Sequence, residues 1–519
     1  MEETKKPYVL AKYDVRGKQE FIFHTGRIKE IVGASKIIED IFKDYLIANQ
    51  TSPEPWKSKI FSDTKTAFTL CGFQKHLNEG YIGEVVYDGG GNYLLLFRDK
   101  DAFDEATYKF TKAVKEAIGT LRILGCCVEV RDFSNLEEDQ KRLNKEHARL
   151  EAMESNIELW PSLPIVQVDR RTSQPLVKRW KDNWGEAPDK SRKVSLEVAA
   201  KYEKYAGLNK GEFGETVLDN IVGKNSEDSL LAVIYIDGNN MGAQVANRLK
   251  ERNAISYEDA IRELRCFSER IQTDYVNDPK ESITKYLEKK YSDNLKSRFV
   301  VFAGDEINFI CNAHDALDLV NVYVEHLPED ASVCAGIAIF RSHMPYSDAY
   351  RIAEECCESG KKFMKKAGLE NTSFLDFHYC QGATGNSLES IREKEIDGFI
   401  SRPWMLRDKN LSETNITEKV TVDGREINVI TKARIEKMKE YLSLLGHSNV
   451  KNLLEAAFGS PEEYNRETMR IEAHMTDENR KDAQNIYESA VDNLSNTRIR
   501  QLVYDMISVY DLWIKGESK

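Results

Sequence analysis

Two stretches of the chain place acidic residues at the ends of apolar runs. The first, residues 230–242 (LLAVIYIDGNNMG), is a continuous apolar run that reaches Asp237. The second, residues 299–310 (FVVFAGDEINFI), has Asp305 and Glu306 between two short apolar runs. Runs of this length and composition, bounded by glycine and asparagine, predict buried strands, and the glycine before the second pair of acids predicts a tight turn. If these strands are neighbours in one sheet, three carboxylates converge at one edge.

Three carboxylates at one edge of a sheet repel one another unless a cation neutralises them. Their oxygen atoms are hard ligands, so Mg²⁺ or Mn²⁺ is the expected cofactor. Asp237, Asp305 and Glu306 are therefore the candidate catalytic residues and metal ligands. The alternative is a carboxylate-capped hairpin without a metal, since two acidic residues at one turn are common. A third acidic residue at the end of a buried strand is less common, which favours the metal site.

The elements around these acids occur twice along the chain. The first part of the sequence predicts a strand, an amphipathic helix, a hairpin, a second amphipathic helix and a further strand, at residues 8–14, 26–48, 84–97, 101–118 and 121–130. This is the element order of a ferredoxin-like domain. The same order is predicted for residues 230–377, so the sequence indicates a duplicated domain with divergent copies.

This pattern resembles the palm domain of nucleotide cyclases and polymerases, the GGDEF/GGDD class. Within that class it resembles the large palm-containing subunit of type III CRISPR effector complexes, whose second palm carries an Asp-Gly-Asp-x-Met-Gly strand end and a Gly-Gly-Asp-Asp turn. Here the strand end reads DGNNMG at residues 237–242 and the turn reads AGDE at residues 303–306. Residues 333–340 (VCAGIAIF) resemble the next strand of the family, and residues 343–362 resemble the helix that follows it.

The resemblance implies an α+β fold with two ferredoxin-like palm domains, a helical linker and a C-terminal helical domain. The expected segments are a first, degenerate palm at residues 1–133, the linker at 134–225, the second, catalytic palm at 226–380 and the helical domain at 381–519. The HD nuclease domain of the family is not expected, because the first strand begins close to the start of the chain.

One dipeptide, His314-Asp315, looks like the dyad of an HD nuclease. It precedes a segment with apolar residues at helical spacing, where an acidic residue fits capping and first-turn placement. No further His/Asp set surrounds it in the sequence. We therefore assign it to the start of a helix.

The function that the resemblance implies is that of a metal-dependent nucleotidyltransferase of the cyclic oligoadenylate synthetase type, acting in antiviral defence. Its expected substrate is a nucleoside triphosphate, with ATP as the first candidate, and its product a cyclic nucleotide messenger. The alternative is a non-catalytic palm scaffold that binds RNA or partner subunits in a CRISPR-type effector complex. Two departures from the family motifs bear on this choice: Asn239 replaces an aspartate, and Ala303 replaces a glycine. Retention of all three acids favours the enzyme. RNA-guided effector subunits, an activator RNA and a second copy of the chain stay open as partners.

The resemblance also implies the residues that contact metal and nucleotide. In the geometry of the cyclases, the carbonyl of Ile236 joins the three acids as a metal ligand. The expected nucleotide contacts of the second palm are Gly238, Asn239, Asn240, Met241, Gly304, Lys361 and Lys362. Lys361 lies eight residues after Ala353, the spacing at which GGDEF proteins carry a phosphate-binding lysine. The alternative is a solvent-facing lysine, because several lysines cluster here.

The first copy has a different turn. Its hairpin carries glycines where the second copy has acids, which matches the degenerate palm of the family. By the resemblance, Ser35, Gly89, Gly90 and Gly91 contact a nucleotide without holding a metal, and the backbone N–H groups of such a turn suit phosphates. The alternative is that the glycines only form a tight turn.

Composition limits the remaining classes of function. A chain of 519 residues is expected to hold more than one domain. No apolar run approaches the roughly 20 residues that span a bilayer, and the N-terminus does not resemble a signal peptide, so a cytoplasmic location without membrane contact is expected. The nine cysteines include no CxxC motif, which argues against a zinc ribbon and for reduced thiols. The net charge of −12 argues against general nucleic-acid coating but allows a local basic groove.

Overall fold

The structure is a computed structural model, and it describes residues 6–48, 60–89, 92–153, 165–184, 192–208, 218–222, 229–242, 244, 256–291, 296–380, 386–408 and 419–514. The chain divides into two compact units. Unit 1 contains Met1–Glu212, Asn240–Val276 and Val300–Asp305, and unit 2 contains Phe213–Asn239, Asn277–Phe299 and Glu306–Lys519. The four segments expected from the sequence stay a prediction.

The first part of the chain alternates strands and helices. Its strands are β1 (Val9–Arg16), β2 (Ile60–Phe61), β3 (Gly83–Gly89), β4 (Asn92–Phe97), β5 (Arg122–Glu129), β6 (Lys178–Arg179) and β7 (Lys193–Val194). Its helices are α1 (Lys18–Phe23), α2 (Ile28–Ile41, continued by a π-helical turn at Phe42–Ile47), α3 (Leu70–Asn78), α4 (Lys100–Ala117), α5 (Leu136–Met153), a 3₁₀ turn (Asp182–Trp184), α6 (Leu196–Ala206) and α7 (Leu218–Val222).

The second part continues with more strands and ends in helices. Its strands are β8 (Leu230–Gly238), β9 (Ser297–Ala303), β10 (Glu306–Asn312), β11 (Val333–Arg341), β12 (Thr372–Tyr379), β13 (Trp404–Asp408), β14 (Lys419–Val422) and β15 (Arg425–Asn428). Its helices are α8 (Tyr257–Ile271, continued by a π-helical turn at Gln272–Asn277), α9 (Asp278–Tyr291), a 3₁₀ turn (Ala313–Asp315), α10 (Ala316–Glu325), α11 (Tyr346–Ala367), α12 (Leu388–Ile396), α13 (Lys432–Ser443), α14 (His447–Phe458), α15 (Pro461–Ala473), α16 (Asp477–Val491), α17 (Asn496–Ser508) and a π-helical turn (Tyr510–Ile514).

The sheet of unit 1 has five strands in the order β2-β3-β4-β1-β5. β1 lies between β4 and β5 and is antiparallel to both. The chain runs through β1, a helical segment, the β3–β4 hairpin, α4 and β5 in the predicted order, and it adds the short strand β2 and helix α3 before the hairpin. The sheet packs on α4, where the ring of Tyr13 meets that of Phe110 edge to face at 5.7 Å. The fold is therefore of the α+β class.

A second sheet has six strands in the order β13-β12-β11-β8-β10-β9. Its central strand, β8, is antiparallel to β10 and to β11. The side chains from Leu231 to Ile236 are all buried, which explains why this strand is a continuous apolar run rather than an alternating one. The chain passes through β8, a helical segment, the β9–β10 hairpin, α10 and β11, again in the predicted order. β12 and β13 extend this sheet, and the strand β13 was not predicted.

Helix α8 belongs to unit 1, although its chain segment lies between β8 and β9. It packs on β3, where the buried guanidinium of Arg265 donates to the carbonyls of Val86 at 3.1 Å and Val85 at 2.6 Å. The same guanidinium donates to the carbonyl of Thr66 at 2.6 Å and to Glu84 at 3.3 Å. The sequence did not predict this attachment.

The C-terminal part is mainly helical, with five helices between Lys432 and Ser508. Leu502 and Met506 of α17 are fully buried. The same helix carries buried Asp505, whose carboxylate accepts hydrogen bonds of 2.6 Å from both the amide and the hydroxyl of Ser401. Within the residues that the structure describes, no helix is long and apolar enough to cross a membrane.

Candidate functional site

Two of the predicted acids face each other in unit 2. Asp237 is next to the last residue of β8 and Glu306 is the first residue of β10, and the register of the strands places them directly opposite. Opposed residues of antiparallel strands have Cα atoms about 4.5–5.5 Å apart. The Asp237 side chain is 22% exposed, and Glu306 is half-buried. The prediction that the two acid-bearing strands are neighbours is confirmed.

The third acid, Asp305, lies in the turn between β9 and β10. Gly304 before it has φ of 65°, a left-handed conformation that favours glycine, so the predicted tight turn is confirmed. In unit 1, burial and then the charge of Asp305 raise the pKa of Tyr87 on β3. Among the described residues, no three His, Cys, Asp or Glu side chains gather closely enough to hold a metal ion. That all three acids converge on one metal ion stays a prediction.

Lys361 supplies a positive charge beside the paired acids. It lies on α11, and its ammonium forms an ion pair with the carboxylate of Asp237. The Lys361 side chain is only 17% exposed. Burial lowers the pKa of this ammonium, but the charge and the hydrogen bond of Asp237 outweigh burial and raise it above the usual value. Lys362, the other predicted phosphate contact, is exposed.

A glycine allows helix α11 to approach the sheet this closely. A Cβ atom at Gly336 of β11 would stand 1.9 Å from the carbonyl oxygen of Ala353 and 2.5 Å from the amide nitrogen of Cys357. Only a residue without a side chain fits at that distance. One turn further along the helix, a Cβ atom at Gly360 would lie 3.3 Å from the Cβ of Phe374 and 3.4 Å from the Sγ of Cys334, which stands opposite Asp237. This packing holds the helix face that carries Lys361 against β8.

Two site residues on α11 were missed by the sequence analysis. The hydroxyl of Tyr350 donates a hydrogen bond of 3.1 Å to Oε1 of Glu306. Burial and then the charge of Glu306 raise the pKa of that hydroxyl, so it keeps its proton. Burial, the charges of neighbouring glutamates and that of Asp237 raise the pKa of Glu354. Residues 350, 354 and 361 share one face of a helix, and this spacing is the signal that could have identified them.

The strand end after Asp237 is partly structural. The amide of Asn239 is 1% exposed and donates to Oγ of Ser332 at 3.2 Å and to the carbonyl of Thr372 at 3.0 Å. The predicted nucleotide contact through this side chain is therefore not supported by its position, because both donor hydrogens serve the core. Gly238 is buried opposite Val333, while Asn240 and Met241 are half-buried.

Ile236 was predicted to be a carbonyl ligand of the metal. It is fully buried in β8, opposite Ile307 of β10 on one side and Ala335 of β11 on the other. Its role as a ligand stays a prediction.

The predicted contacts of the first copy lie in unit 1. Ser35 is buried on α2. Gly89 ends β3, and a Cβ atom there would stand 2.3 Å from the hydroxyl oxygen of Tyr87. Gly90 and Gly91 lie outside the described residues. The carbonyl of Asp88 accepts a hydrogen bond of 2.6 Å from the hydroxyl of Ser268 on α8. A nucleotide contact at this hairpin stays a prediction.

The His314-Asp315 pair serves the start of a helix. Asn312 caps the 3₁₀ turn by accepting from the amide of His314 at 3.0 Å. Asp315 is fully buried and accepts from the ammonium of Lys290 at 2.7 Å and the hydroxyl of Tyr291 at 2.8 Å. These contacts agree with the assignment made from the sequence.

The chemistry of the paired acids suits a hard divalent cation. Asp237 and Glu306 offer oxygen donors on neighbouring strands, and neither is fully buried. Mg²⁺ is commonly held by one or two carboxylates together with substrate phosphates, rather than by an all-protein cage. The residues present therefore fit Mg²⁺ or Mn²⁺ that arrives with a triphosphate.

Comparison with known proteins identifies the fold. No family model matches the chain, and no curated protein matches it. A crystal structure of a Csm1–Csm4 cassette in complex with cA4 matches 98% of this chain and 70% of its own at 13% identity, with a TM-score of 0.51. An apo Csm1–Csm4 cassette matches 99% of this chain and 71% of its own at 12% identity, with a TM-score of 0.49. Csm1 of T. onnurineus matches 96% of this chain and 70% of its own at 13% identity, with a TM-score of 0.46. The chain thus resembles Csm1 in fold over nearly its whole length.

Proposed function

We propose that this chain is a palm-type nucleotidyltransferase that joins ATP into cyclic oligoadenylate within a type III CRISPR effector. The observation that carries the proposal is the placement of Asp237 and Glu306 on opposed strand positions, with the ammonium of Lys361 beside them. Opposed carboxylates at a sheet edge, next to a fixed cation, suit a substrate that brings both a metal ion and phosphates.

The topology of both sheets supports this proposal. In each sheet the first strand lies between the second hairpin strand and the strand that follows the next helix: β1 lies between β4 and β5, and β8 between β10 and β11. We interpret both as ferredoxin-like palms. At the corresponding strand positions the first sheet sets Asp14 opposite Asn92, whereas the second sets Asp237 opposite Glu306. Because only the second sheet pairs two acids there, we assign catalysis to it and a supporting role to the first.

The reaction that fits these residues is attack of a ribose 3′-oxygen on the α-phosphate of a nucleoside triphosphate, with pyrophosphate as the leaving group. A bound Mg²⁺ or Mn²⁺ would be held by Asp237 and Glu306 and would stabilise charge on the phosphate oxygens. Lys361 would bind the triphosphate, exchanging its contact with Asp237 for a phosphate oxygen. Tyr350 donates a hydrogen bond to the Glu306 carboxylate. Holding both reactants in line is worth up to about 7–11 kcal/mol of the barrier.

The choice of substrate and partner rests on the fold likeness. The Csm1–Csm4 cassette that shares this fold was solved with cA4 and consists of two different subunits. We propose ATP as the substrate and a Csm4-like subunit as the partner of this chain. A cytoplasmic location is proposed with them, in agreement with cysteines that are all free thiols.

The test is to incubate the protein with Mn²⁺ and each of the four nucleoside triphosphates. Pyrophosphate release measures turnover, and mass spectrometry identifies the product. We expect a cyclic adenylate from ATP. Asp237→Asn and Glu306→Gln should each abolish turnover, because each removes a charge that would neutralise the metal ion. Neither should unfold the protein, because neither acid is fully buried. His314→Ala is the matched control and should keep full activity. Full activity in either acid variant would contradict the assignment.

A scaffold without catalysis is the second candidate. Two observations favour it: Lys361 already neutralises Asp237, and the amide of Asn239 serves the core instead of the site. A scaffold would bind RNA or a partner subunit equally well in the wild type and in Asp237→Asn, and neither protein would consume a triphosphate.

A further inference from the structure

The face of α11 that meets β10 carries two tyrosines one helical turn apart. Tyr346 and Tyr350 are each 3% exposed, and their ring centroids are 6.3 Å apart. The hydroxyl of Tyr350 donates to Glu306 at 3.1 Å. The hydroxyl of Tyr346 donates to Oδ1 of Asn308. A single helix face thus bonds two residues of the acid-bearing strand.

The spacing of the helix matches the spacing of the strand. Residues four apart on a helix are separated by about 6.0 Å along its axis. Residues two apart on a strand share a face and are separated by about 6.6–6.8 Å. The two tyrosines therefore contact Glu306 and Asn308, which share one face of β10. This match fixes the register of helix against strand.

The hydrogen bond between Tyr346 and Asn308 is anchored in the core. Asn308 is fully buried, and its amide nitrogen also donates to the carbonyl of Ile234 on β8 at 2.9 Å. Tyr235, which lies opposite Asn308, packs edge on against the ring of Tyr350 at 5.5 Å and 85°. The ring of Tyr350 is therefore packed between α11 and β8, and its hydroxyl extends to Glu306. A hydroxyl fixed in this way can orient a carboxylate that is itself half-exposed.

We propose that Tyr350 is a positioning residue for Glu306, holding Oε1 so that the other carboxylate oxygen faces the cation. The inference rests on the proposed function, since it concerns the metal that accompanies the triphosphate. Residues that orient a metal ligand typically affect metal affinity by about 10–100-fold. We assign Tyr346 a structural role only, because its partner Asn308 lies in the core and cannot reach a cation.

The test uses Mn²⁺ binding to the full-length protein, measured by electron paramagnetic resonance with a non-hydrolysable ATP analogue present. Tyr350→Phe removes one hydroxyl and keeps the ring packing. We expect it to weaken Mn²⁺ binding about tenfold. Its melting temperature should change little, because the Glu306 carboxylate that loses the bond is half-buried and can accept from water instead. Tyr346→Phe is the matched control: it should lower the melting temperature and leave Mn²⁺ binding within about twofold, since it loses a buried hydrogen bond away from the site.

A double-mutant cycle separates positioning from a general effect on the site. In the Glu306→Gln background, Tyr350→Phe should no longer change Mn²⁺ affinity, because the oriented carboxylate is already lost. An equal loss in both backgrounds, or unchanged Mn²⁺ affinity in Tyr350→Phe, would overturn the inference. If either result occurs while the wild type still makes a cyclic product, the proposed function stands and only the positioning role of Tyr350 is wrong. A wild type that binds Mn²⁺ through Glu306 but makes no product would contradict the function and leave the positioning role standing.

Discussion

Gly336→Ala is the substitution that most directly tests how the fold builds the site. The added Cβ atom would stand 1.9 Å from the carbonyl oxygen of Ala353, whereas ordinary contacts begin at 3.4 Å. Helix α11 would have to retreat by about 1.5 Å, and both contact atoms belong to the backbone, so no side-chain rotation can relieve the overlap. Overpacking of this kind costs about 1–3 kcal/mol of the free energy of unfolding.

The same displacement would act on the site residues of the helix. Lys361 lies two turns beyond Ala353, and misplacement of a reacting group by about 1 Å can reduce a rate by about 10²-fold. We therefore expect the melting temperature to fall by about 2–10 °C and pyrophosphate release from ATP to fall by about 10²-fold. Differential scanning calorimetry and a pyrophosphate assay measure the two effects.

Gly207→Ala is the control for Gly336→Ala. Its Cβ would lie 3.6 Å from the nearest atom outside its immediate neighbours, and its φ of −80° suits alanine. It should leave both the melting temperature and the rate unchanged. An unchanged melting temperature in Gly336→Ala would refute the claim that close backbone packing holds α11 against the sheet.

Three further predictions concern charged groups. Lys361→Met should raise the KM for ATP about tenfold or more, since a charge-assisted contact is lost, while Lys362→Met, at an exposed position, should not; steady-state kinetics on both variants decides. Arg265→Met should lower the free energy of unfolding by about 3–5 kcal/mol in a urea titration, because it removes three hydrogen bonds to backbone carbonyls and the buried ion pair with Glu84; a loss under about 1 kcal/mol would contradict the attachment of α8 to unit 1. Glu197 is fully buried; burial raises its pKa, but the hydrogen bond from His24 and the bonded charge of Lys201 outweigh burial and lower it to about 2. Because this folded-state pKa lies below the unfolded value, the stabilisation is complete above about pH 4.5 and is lost as the pH falls towards 2. In this pH window the melting temperature of Glu197→Gln should therefore fall less steeply than that of the wild type. Parallel curves of melting temperature against pH would contradict this prediction.

Local patterns in the sequence predicted most of the secondary structure. The apolar run before Asp237 is a central strand, as predicted. The turn predicted at Gly304 is present, and the glycine has a left-handed backbone. Each of these features depends on residues close in the chain, so composition and period are enough to identify them.

Long-range contacts could not be predicted in this way. The attachment of α8 to unit 1 depends on Arg265 meeting carbonyls about 180 residues earlier in the chain. The role of Tyr350 depends on the register between a helix and a strand that are not adjacent in sequence. Asn239 was expected near the nucleotide, but the chain leaves β8 after Gly238 and turns its amide into the core. Helix and strand periods do not encode these placements.

The central claim is that Asp237 and Glu306 hold a divalent cation while Lys361 holds the triphosphate. The most direct measurement is a crystal structure of the full-length protein with Mn²⁺ and a non-hydrolysable ATP analogue, with diffraction recorded at the manganese absorption edge. We predict an anomalous peak bound by oxygen atoms of both acids, with the ammonium of Lys361 moved from Asp237 to a phosphate oxygen. A nucleotide bound elsewhere, or a manganese peak away from both acids with the Lys361–Asp237 ion pair intact, would contradict the account.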